Sequence, residues 1–259
     1  MGAGHGGPLG SAYVARDSVV HRLPAHVSLV AVVGFALVVV ATPVRTAWAP
    51  AYAGYAVLVL AAAALARVPA ARLARGLVVE VPFVVFALLL PLVARGPRVE
   101  VLGLSLSEGG LVAAGGLLAK ATLSVLAATV LAATTTPQDL VRGLQRLRLP
   151  AVLVQILSFM VRYADVVTGE LRRMRVARES RGFRGRGPGA LRVVAGTAGA
   201  LFVRSYERGE RVHLAMLARG GDGRLPTGPA VAVPARAWLT GLALPLAAGA
   251  VLAAGMLGA

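Results

Sequence analysis

The most informative absence from this chain is cysteine. None of its 259 residues is a cysteine, which excludes disulfides, thiolate metal sites and thiol nucleophiles at once. Histidine occurs four times and acidic residues only 11 times, with no cluster of either type in the apolar blocks, so we expect no metal site. The chain also lacks the G-x-x-x-x-G-K-[ST] loop that cradles phosphates in many ATPases, so we expect it not to hydrolyse ATP.

Apolar residues dominate the composition. They make up 57% of the chain, and the mean hydropathy of +0.75 is that of an integral membrane protein. The net charge of +16 would indicate nucleic acid in a soluble protein, but the basic segments lack interleaved aromatic residues. Cytoplasmic loops of membrane proteins collect arginine. The sequence therefore predicts a protein that partners the lipid bilayer and binds no nucleic acid. The N-terminal residues do not have the pattern of a signal peptide.

Five apolar blocks are long enough to cross a bilayer, which takes about 20 helical residues, with about 17 acceptable. They run over residues 26–42, 48–66, 77–94, 109–133 and 237–257. Residues 152–161 are also apolar, but Arg162 and Asp165 follow them, so this run is interpreted as partly buried or interfacial, with a sixth crossing as the alternative. Trp48, Tyr52 and Tyr55 lie near one end of the second block, as interfacial anchors do.

The loop charges orient these blocks by the positive-inside rule. Arg67, Arg72 and Arg75 place the loop between the second and third blocks in the cytoplasm. Residues 134–235 hold 17 of the 27 basic residues, since nine precede them and Arg236 follows, so this segment is also predicted to be cytoplasmic. The loop after the third block balances its arginines with glutamates and faces outward.

The predicted fold is therefore an all-α polytopic membrane protein with about five transmembrane helices. Residues 1–25 are predicted to form an N-terminal cytoplasmic tail and residues 26–133 four transmembrane helices. Residues 134–235 form a cytoplasmic region, and residues 236–259 a C-terminal transmembrane helix. Glu80 and Lys120, the only lysine, fall inside the predicted spans, where a charge costs on the order of 3 kcal/mol and finds a partner. We favour an internal Glu80–Lys120 pair, or Glu80 at the membrane interface, over a polar relay or a contact to another subunit.

The cytoplasmic region contains helical patterns. Residues 134–139 combine hydroxyls, proline and aspartate as at the start of a helix, and a short helix then runs to about Leu147. From Ala151 to Arg181 apolar residues recur at steps of three and four, which predicts a long amphipathic helix. A second long amphipathic helix is predicted from about Leu191 to Ala218.

Each long helix ends in a cassette of a small residue, arginine and glycine, namely Ser180-Arg181-Gly182 and Ala218-Arg219-Gly220. Glycine readily adopts the left-handed backbone that closes a helix, and an arginine beside it projects five fixed donors. Amphipathic basic helices also lie on bilayer surfaces. The paired cassettes favour protein docking, because a surface anchor does not need a sharply terminated end.

The residues around both cassettes resemble the cobalt-type transmembrane T component of energy-coupling factor (ECF) transporters, the CbiQ/EcfT family. The match is strongest over residues 204–220, and it is also good over 177–183, 134–140 and 17–24. The resemblance implies that two cytoplasmic coupling helices cross as an X and insert their ends into grooves on two ABC ATPase subunits. It assigns this docking role to Ser180, Arg181, Gly182, Ala218, Arg219 and Gly220. Gly221 departs from the family, where an aromatic residue often follows.

The resemblance also implies the partners and the location of the protein. ATP would be bound by the partner subunits, this chain would carry no cofactor, and a membrane substrate-binding S subunit, of the metal type, would pack on its spans. The protein would be a multi-pass, non-catalytic subunit of a bacterial cell membrane transporter. Cobalt is favoured as the substrate by the resemblance alone, with nickel or a vitamin as alternatives.

Three other classes of protein are weighed against this interpretation. A stand-alone secondary transporter is supported only by Pro82, Pro91, Glu80 and Lys120 within the spans. A membrane-embedded lipid transferase would need paired acidic residues at a membrane face, and the sequence has none there. A scaffold without energy coupling is the third.

Overall fold

The computed structural model describes residues 12–101, 104–183, 188–220 and 233–257. Within these residues the chain is helical except for one short hairpin, so the predicted all-α membrane fold is confirmed. The chain packs as two units. One contains the described residues of Ala12–Leu147 and Ala232–Ala259, and the other contains those of Arg148–Val231.

Five helices of the first unit follow the apolar blocks of the sequence within a few residues, and two shorter ones, Ala70–Leu77 and Pro137–Arg146, lie between blocks. They are α1 Ala25–Ala41, α2 Ala49–Leu65, α3 Ala70–Leu77, α4 Val81–Val93, α5 Glu108–Thr134, α6 Pro137–Arg146 and α9 Ala235–Leu257. Short 3₁₀ turns at Thr46–Trp48 and Val78–Glu80 lead into α2 and α4. The second unit consists of α7, Ala151–Ser180, and α8, Pro188–Ala218.

Five helical stretches in the described part of the chain are long and apolar enough to cross a membrane. They are Thr46–Leu65, Ala70–Val93, Glu108–Thr134, Ala151–Ser180 and Ala235–Leu257. Helix α1 has 17 residues, or about 25 Å, and is slightly shorter than these. Helix α7 is long enough to cross a membrane, and its first half is sufficiently apolar. The sixth crossing that the sequence left open is therefore compatible with the structure.

The second and third blocks are joined differently from the prediction. Helix α2 ends at Leu65 and α3 begins at Ala70, so Arg72 and Arg75 lie on a helix and not in a loop. The 3₁₀ turn at Val78–Glu80 links α3 to α4. Pro82 occupies the first turn of α4, where its missing N–H removes no helical hydrogen bond.

A β-hairpin between α4 and α5 was not predicted. Strand β1, Arg98–Val101, pairs antiparallel with β2, Leu104–Ser107, and Arg98 lies opposite Ser107. Ser107 then accepts a hydrogen bond from the backbone N–H of Gly110 at 3.3 Å and so caps the start of α5. The alternation Leu-Ser-Leu-Ser in β2 is a signal for a strand.

The core of the first unit forms around the aromatic residues of α1 and α2. Phe35 and Tyr55 have no exposed surface, and their rings meet edge to face at 6.2 Å. Thr42 donates its hydroxyl proton to the Val38 carbonyl at 2.9 Å, so the Tyr55 hydroxyl is the donor in its 3.0 Å hydrogen bond with Thr42. The interfacial roles predicted for Tyr55 and Trp48 are therefore wrong, because both side chains are buried in this core.

The N-terminal segment is held against the ends of α2 and α5. The backbone N–H of Val14 donates to the Ala133 carbonyl at 2.9 Å, and Arg16 donates to the carbonyl of Arg67 at 2.7 Å. On the exposed side, the Arg22 guanidinium donates to both carboxylate oxygens of Asp17 and holds the pKa of that carboxyl below its ordinary value. Such an exposed pair adds little stability.

Glycines allow several helices of this unit to approach closely. Helix α6, which the sequence analysis grouped with the cytoplasmic region, packs on α1 in this way. A Cβ on Gly143 would lie 2.9 Å from the backbone nitrogen of His26. Similarly, a Cβ on Gly110 of α5 would lie 2.7 Å from Cα of Pro91 in α4 and 2.9 Å from the Leu90 carbonyl oxygen. These neighbours are backbone atoms, so they cannot move aside without displacing the whole helix.

We expect Gly110→Ala to destabilise the first unit, because α4 and α5 would have to separate. Overpacking of this kind costs about 1–3 kcal/mol. Gly115→Ala is the matched control on the same helix, since its Cβ would meet nothing within 4 Å. The measurement is the thermal unfolding midpoint of each purified variant in detergent. Equal midpoints for the two variants would contradict the close α4–α5 contact.

Candidate functional site

The end of α7 forms a complete Schellman motif. Arg181 is the C-cap residue, and Gly182 follows in the left-handed region with φ of +80°. The backbone N–H of Gly182 donates to the Glu179 carbonyl and that of Phe183 to the Arg178 carbonyl, each at 3.1 Å. The Arg178 guanidinium lies 5.6 Å from the centre of the Phe183 ring, which adds a cation–π contact across the motif.

The end of α8 shares the left-handed glycine and the first of these two hydrogen bonds. Gly220 has φ of +75°, and its N–H donates to the Leu217 carbonyl at 3.0 Å. Arg219 therefore holds the same position relative to its helix as Arg181 does in α7. The sequence analysis also singled out Gly221, which lies outside the described residues.

All six residues of the two cassettes are exposed. Neither Arg181 nor Arg219 forms an ion pair with a carboxylate in the part of the chain that the structure describes. An added Cβ at Gly182 or Gly220 would meet nothing within 4 Å. Within the described ranges, each cassette thus presents an open surface around a guanidinium with no carboxylate partner, and this group carries five donors.

Helices α7 and α8 run antiparallel where they meet. Arg178 of α7 donates to Thr197 of α8 at 3.0 Å, and Glu170 of α7 pairs with Arg204 of α8. The residue number on α7 falls from 178 to 170 between these two contacts, while the residue number on α8 rises from 197 to 204. From the Glu170–Arg204 contact, Arg181 lies about 16 Å along α7 and Arg219 about 22 Å along α8, in opposite directions. The two cassettes are therefore at opposite ends of the helix pair.

The sequence analysis missed the residues that join these helices. Glu170 also accepts a 2.6 Å hydrogen bond from Arg173, so two arginines share its carboxylate. A cleft of about 200 Å³ opens beside this contact, and its basic lining residues are Arg204, Arg208 and Arg211. One signal was readable: Glu170 lies one helical turn after Val167 and directly before Leu171, two of the apolar residues that recur along α7, and a charge at the edge of such a face needs a partner.

Glu80 and Lys120 do not pair, so the favoured internal ion pair is wrong. Glu80 is 5% exposed and accepts a 2.6 Å hydrogen bond from Thr122. Lys120 instead donates to the Val40 carbonyl at 2.7 Å, in the last turn of α1, where carbonyls lack helical donors. Residues 120 and 122 point to different sides of α5 because they are two positions apart. Each charge therefore has its own internal partner.

The region of this chain that is similar to known proteins contains both long helices. The family profile described as CbiQ, cobalt transport protein, matches residues 16–228. The chain is 30% identical over 230 residues to the energy-coupling factor transporter transmembrane protein EcfT of Bacillus subtilis (strain 168), which covers 82% of this chain and 85% of the relative. EcfT of Bacillus selenitireducens is 31% identical over 230 residues, covering 82% and 84%. The cobalt transport protein CbiQ of Rhodobacter capsulatus is 32% identical over 195 residues, covering 74% and 76%.

We expect Gly182→Ala to open the last turn of α7 through the backbone alone. A residue with a Cβ costs about 1–2 kcal/mol in the left-handed region, while the site itself has room for the methyl group. Hydrogen exchange measured by mass spectrometry should show faster exchange of the Gly182 and Phe183 amides. Gly189→Ala is the control, because this glycine lies inside α8 with equally open space. Unchanged protection in Gly182→Ala would contradict the motif.

Proposed function

The chain belongs to the CbiQ cobalt transport protein family and is a transmembrane T component of energy-coupling factor transporters, and we propose that it couples two ATP-binding subunits to a membrane substrate-binding subunit. As a T component it is a multi-pass membrane protein and a non-catalytic transporter subunit. The observation that carries the proposal is the pair of helix ends with one geometry, each presenting an exposed arginine before a left-handed glycine.

The opposite directions of the two ends suit two separate partners. Arg181 and Arg219 lie about 16 and 22 Å from the helix contact, so one compact groove does not hold both. Two ATP-binding subunits, each with an acidic groove, match this spacing and this charge. Ser180 and Ala218, as small residues, let the groove approach the helix end closely.

The two helices transmit movement in this proposal. When ATP closes the dimer of ATP-binding subunits, their grooves shift and carry the docked ends with them. Because an α-helix is stiff along its axis, α7 and α8 pass the shift to the spanning helices. A substrate-binding subunit packed on those spans then tilts and releases its substrate.

This mechanism requires a defined orientation in the membrane. We place the N-terminus and residues 134–235 in the cytoplasm, where ATP-binding subunits reside. The support is the distribution of arginine, since 17 of the 27 basic residues lie in that region. The balanced charges of the hairpin and its flanking residues fit the outer side.

Cobalt is the proposed substrate, delivered by the separate substrate-binding subunit. The support is the description of the matching family and the name of the Rhodobacter capsulatus relative, both of which specify cobalt transport. The Bacillus relatives carry the general name EcfT, which specifies no substrate. Nickel and a vitamin are the alternative substrates of the same type of transporter.

We expect Arg181→Ala and Arg219→Ala each to abolish ATP-driven uptake while the protein still inserts into the membrane. Removing one arginine of a buried charge pair costs about 2–5 kcal/mol, mostly because its acidic partner is left unpaired. Affinity for the ATP-binding subunit should therefore fall by roughly 30-fold or more. The measurements are co-purification of the ATP-binding subunits and substrate uptake by the reconstituted complex.

The matched control is Arg172→Ala, which removes the same charge from an exposed position on α7 before the cassette. It should co-purify the ATP-binding subunits as the unmodified chain does. Full assembly and uptake in the double variant Arg181→Ala/Arg219→Ala would contradict the docking proposal. Uptake by the chain alone, with no ATP-binding subunit, would instead indicate a stand-alone secondary transporter.

We expect cells that express this chain with the ATP-binding and substrate-binding subunits of its host to accumulate radioactive cobalt. Accumulation should depend on all three components, because this chain supplies coupling only. Competition with unlabelled nickel and with vitamins measures the substrate preference. Stronger accumulation of nickel, or of a vitamin, would replace cobalt as the substrate and leave the coupling role unchanged.

A further inference from the structure

The contact between α7 and α8 buries little apolar surface in the part of the chain that the structure describes. Val154, near the start of α7, is the only residue buried in that helix, and no side chain described in α8 is buried. The large apolar residues Phe202 and Tyr206 of α8 are 70% and 65% exposed. The apolar residues Val167 and Leu201, which line the cleft between the helices, are only half-buried. Apolar packing at this contact is therefore weak, and polar contacts are needed to fix the angle between the two helices.

Two polar contacts join the helices in the described part of the chain. Arg178 donates to Thr197 close to the end of α7 and the start of α8. The Glu170–Arg204 ion pair lies about two turns further along both helices, on the far side from that connection. One contact alone leaves the helices free to rotate about it, whereas two contacts fix their relative direction.

Glu170 is the carboxylate that makes the second contact possible. Its side chain is only 19% exposed, and both of its oxygens are engaged, one by Arg204 of α8 and the other by Arg173 of α7. The Arg173 contact holds the carboxylate in place on its own helix. The adjoining cleft is lined by Arg204, Arg208 and Arg211 and, besides Glu170, by the carboxylate of Glu207, which pairs with Arg211. Removing the Glu170 charge therefore leaves three arginines with a single carboxylate.

We propose that Glu170 is a positioning residue that sets the separation and direction of the two docking ends. We call the set of Glu170, Arg173 and Arg204 the Glu170 brace. The brace holds α7 and α8 at a fixed angle. Movement imposed at Arg181 or Arg219 is then passed on to the spanning helices and does not merely rotate one of the two helices against the other. This inference rests on the proposed coupling function, but the geometry of the brace is tested without it.

The absence of cysteine makes a direct distance measurement possible. Val176 of α7 and Leu214 of α8 are 56% and 59% exposed, and they lie on opposite sides of the brace, roughly 25 Å apart along the helices. Cysteine substitutions at these two positions carry spin labels with no competing thiol. Pulsed electron paramagnetic resonance on the full chain in lipid nanodiscs then gives the distribution of distances between the labels.

Glu170→Gln should broaden this distance distribution, and so should Arg204→Gln. The exchanged pair Glu170→Arg/Arg204→Glu should narrow it in part, because opposite charges again face each other across the helices while Arg173 then lies beside a like charge. Glu179→Gln is the matched control, since the partner of Glu179 among the described residues is Arg175 of its own helix, at 2.8 Å. An unchanged distribution in Glu170→Gln, or equal broadening in Glu179→Gln, would overturn the proposal.

A second readout separates the brace from the docking ends. In the complete complex, Glu170→Gln should keep its ATP-binding subunits bound while the uptake per ATP hydrolysed falls by about fivefold or more, a typical coupling between two sites. The exchanged pair should recover part of this ratio. A normal ratio in Glu170→Gln would overturn the positioning role. If the unmodified chain does not bind ATP-binding subunits, the proposed function is contradicted instead. The distance measurement would still test the geometry of the brace in that case.

Discussion

Both candidate docking ends depend on one local constraint: the residue that follows the capping arginine must accept a left-handed backbone. Gly182 and Gly220 meet this requirement with φ of +80° and +75°. The chain turns away immediately after the arginine, so nothing from the same helix covers the guanidinium. Exposure of the arginine is therefore a consequence of the helix termination itself.

The end of α2 shows that the termination alone does not define a docking end. Helix α2 closes with the same pair of hydrogen bonds, from Arg67 to Ala64 and from Val68 to Ala63, but here Arg67 itself is left-handed with φ of +53°. The Arg67 carbonyl accepts a hydrogen bond from the Arg16 guanidinium. What distinguishes the two cassettes is the order of residues: arginine occupies the cap and glycine takes the left-handed position, so the backbone at each end carries little strain.

Local features of the fold could be read from the sequence, and non-local pairings could not. The start of α6 is an example of the first kind: Thr136 accepts from the Asp139 N–H at 3.2 Å, as the run of hydroxyls, proline and aspartate predicts. Helix ends at Ser180 and Ala218 were likewise predicted from the following residues. The partners of Lys120 and Glu170 lie 80 and 34 residues away, on other helices. No local periodicity identifies such partners, because they depend on how helices face one another.

The two units rely on different physical interactions, and this difference suits their proposed roles. In the first unit, buried rings such as Tyr55 and closely approaching glycines such as Gly110 fix the helices by packing, which resists change in every direction. In the second unit, α7 and α8 keep their apolar faces exposed and meet through charged and polar side chains. A helix pair of that kind is stiff along each axis but depends on a few contacts for its angle. An element that must receive force at its ends and deliver it elsewhere needs axial stiffness first, and a small number of well-placed charges then suffices to hold its geometry.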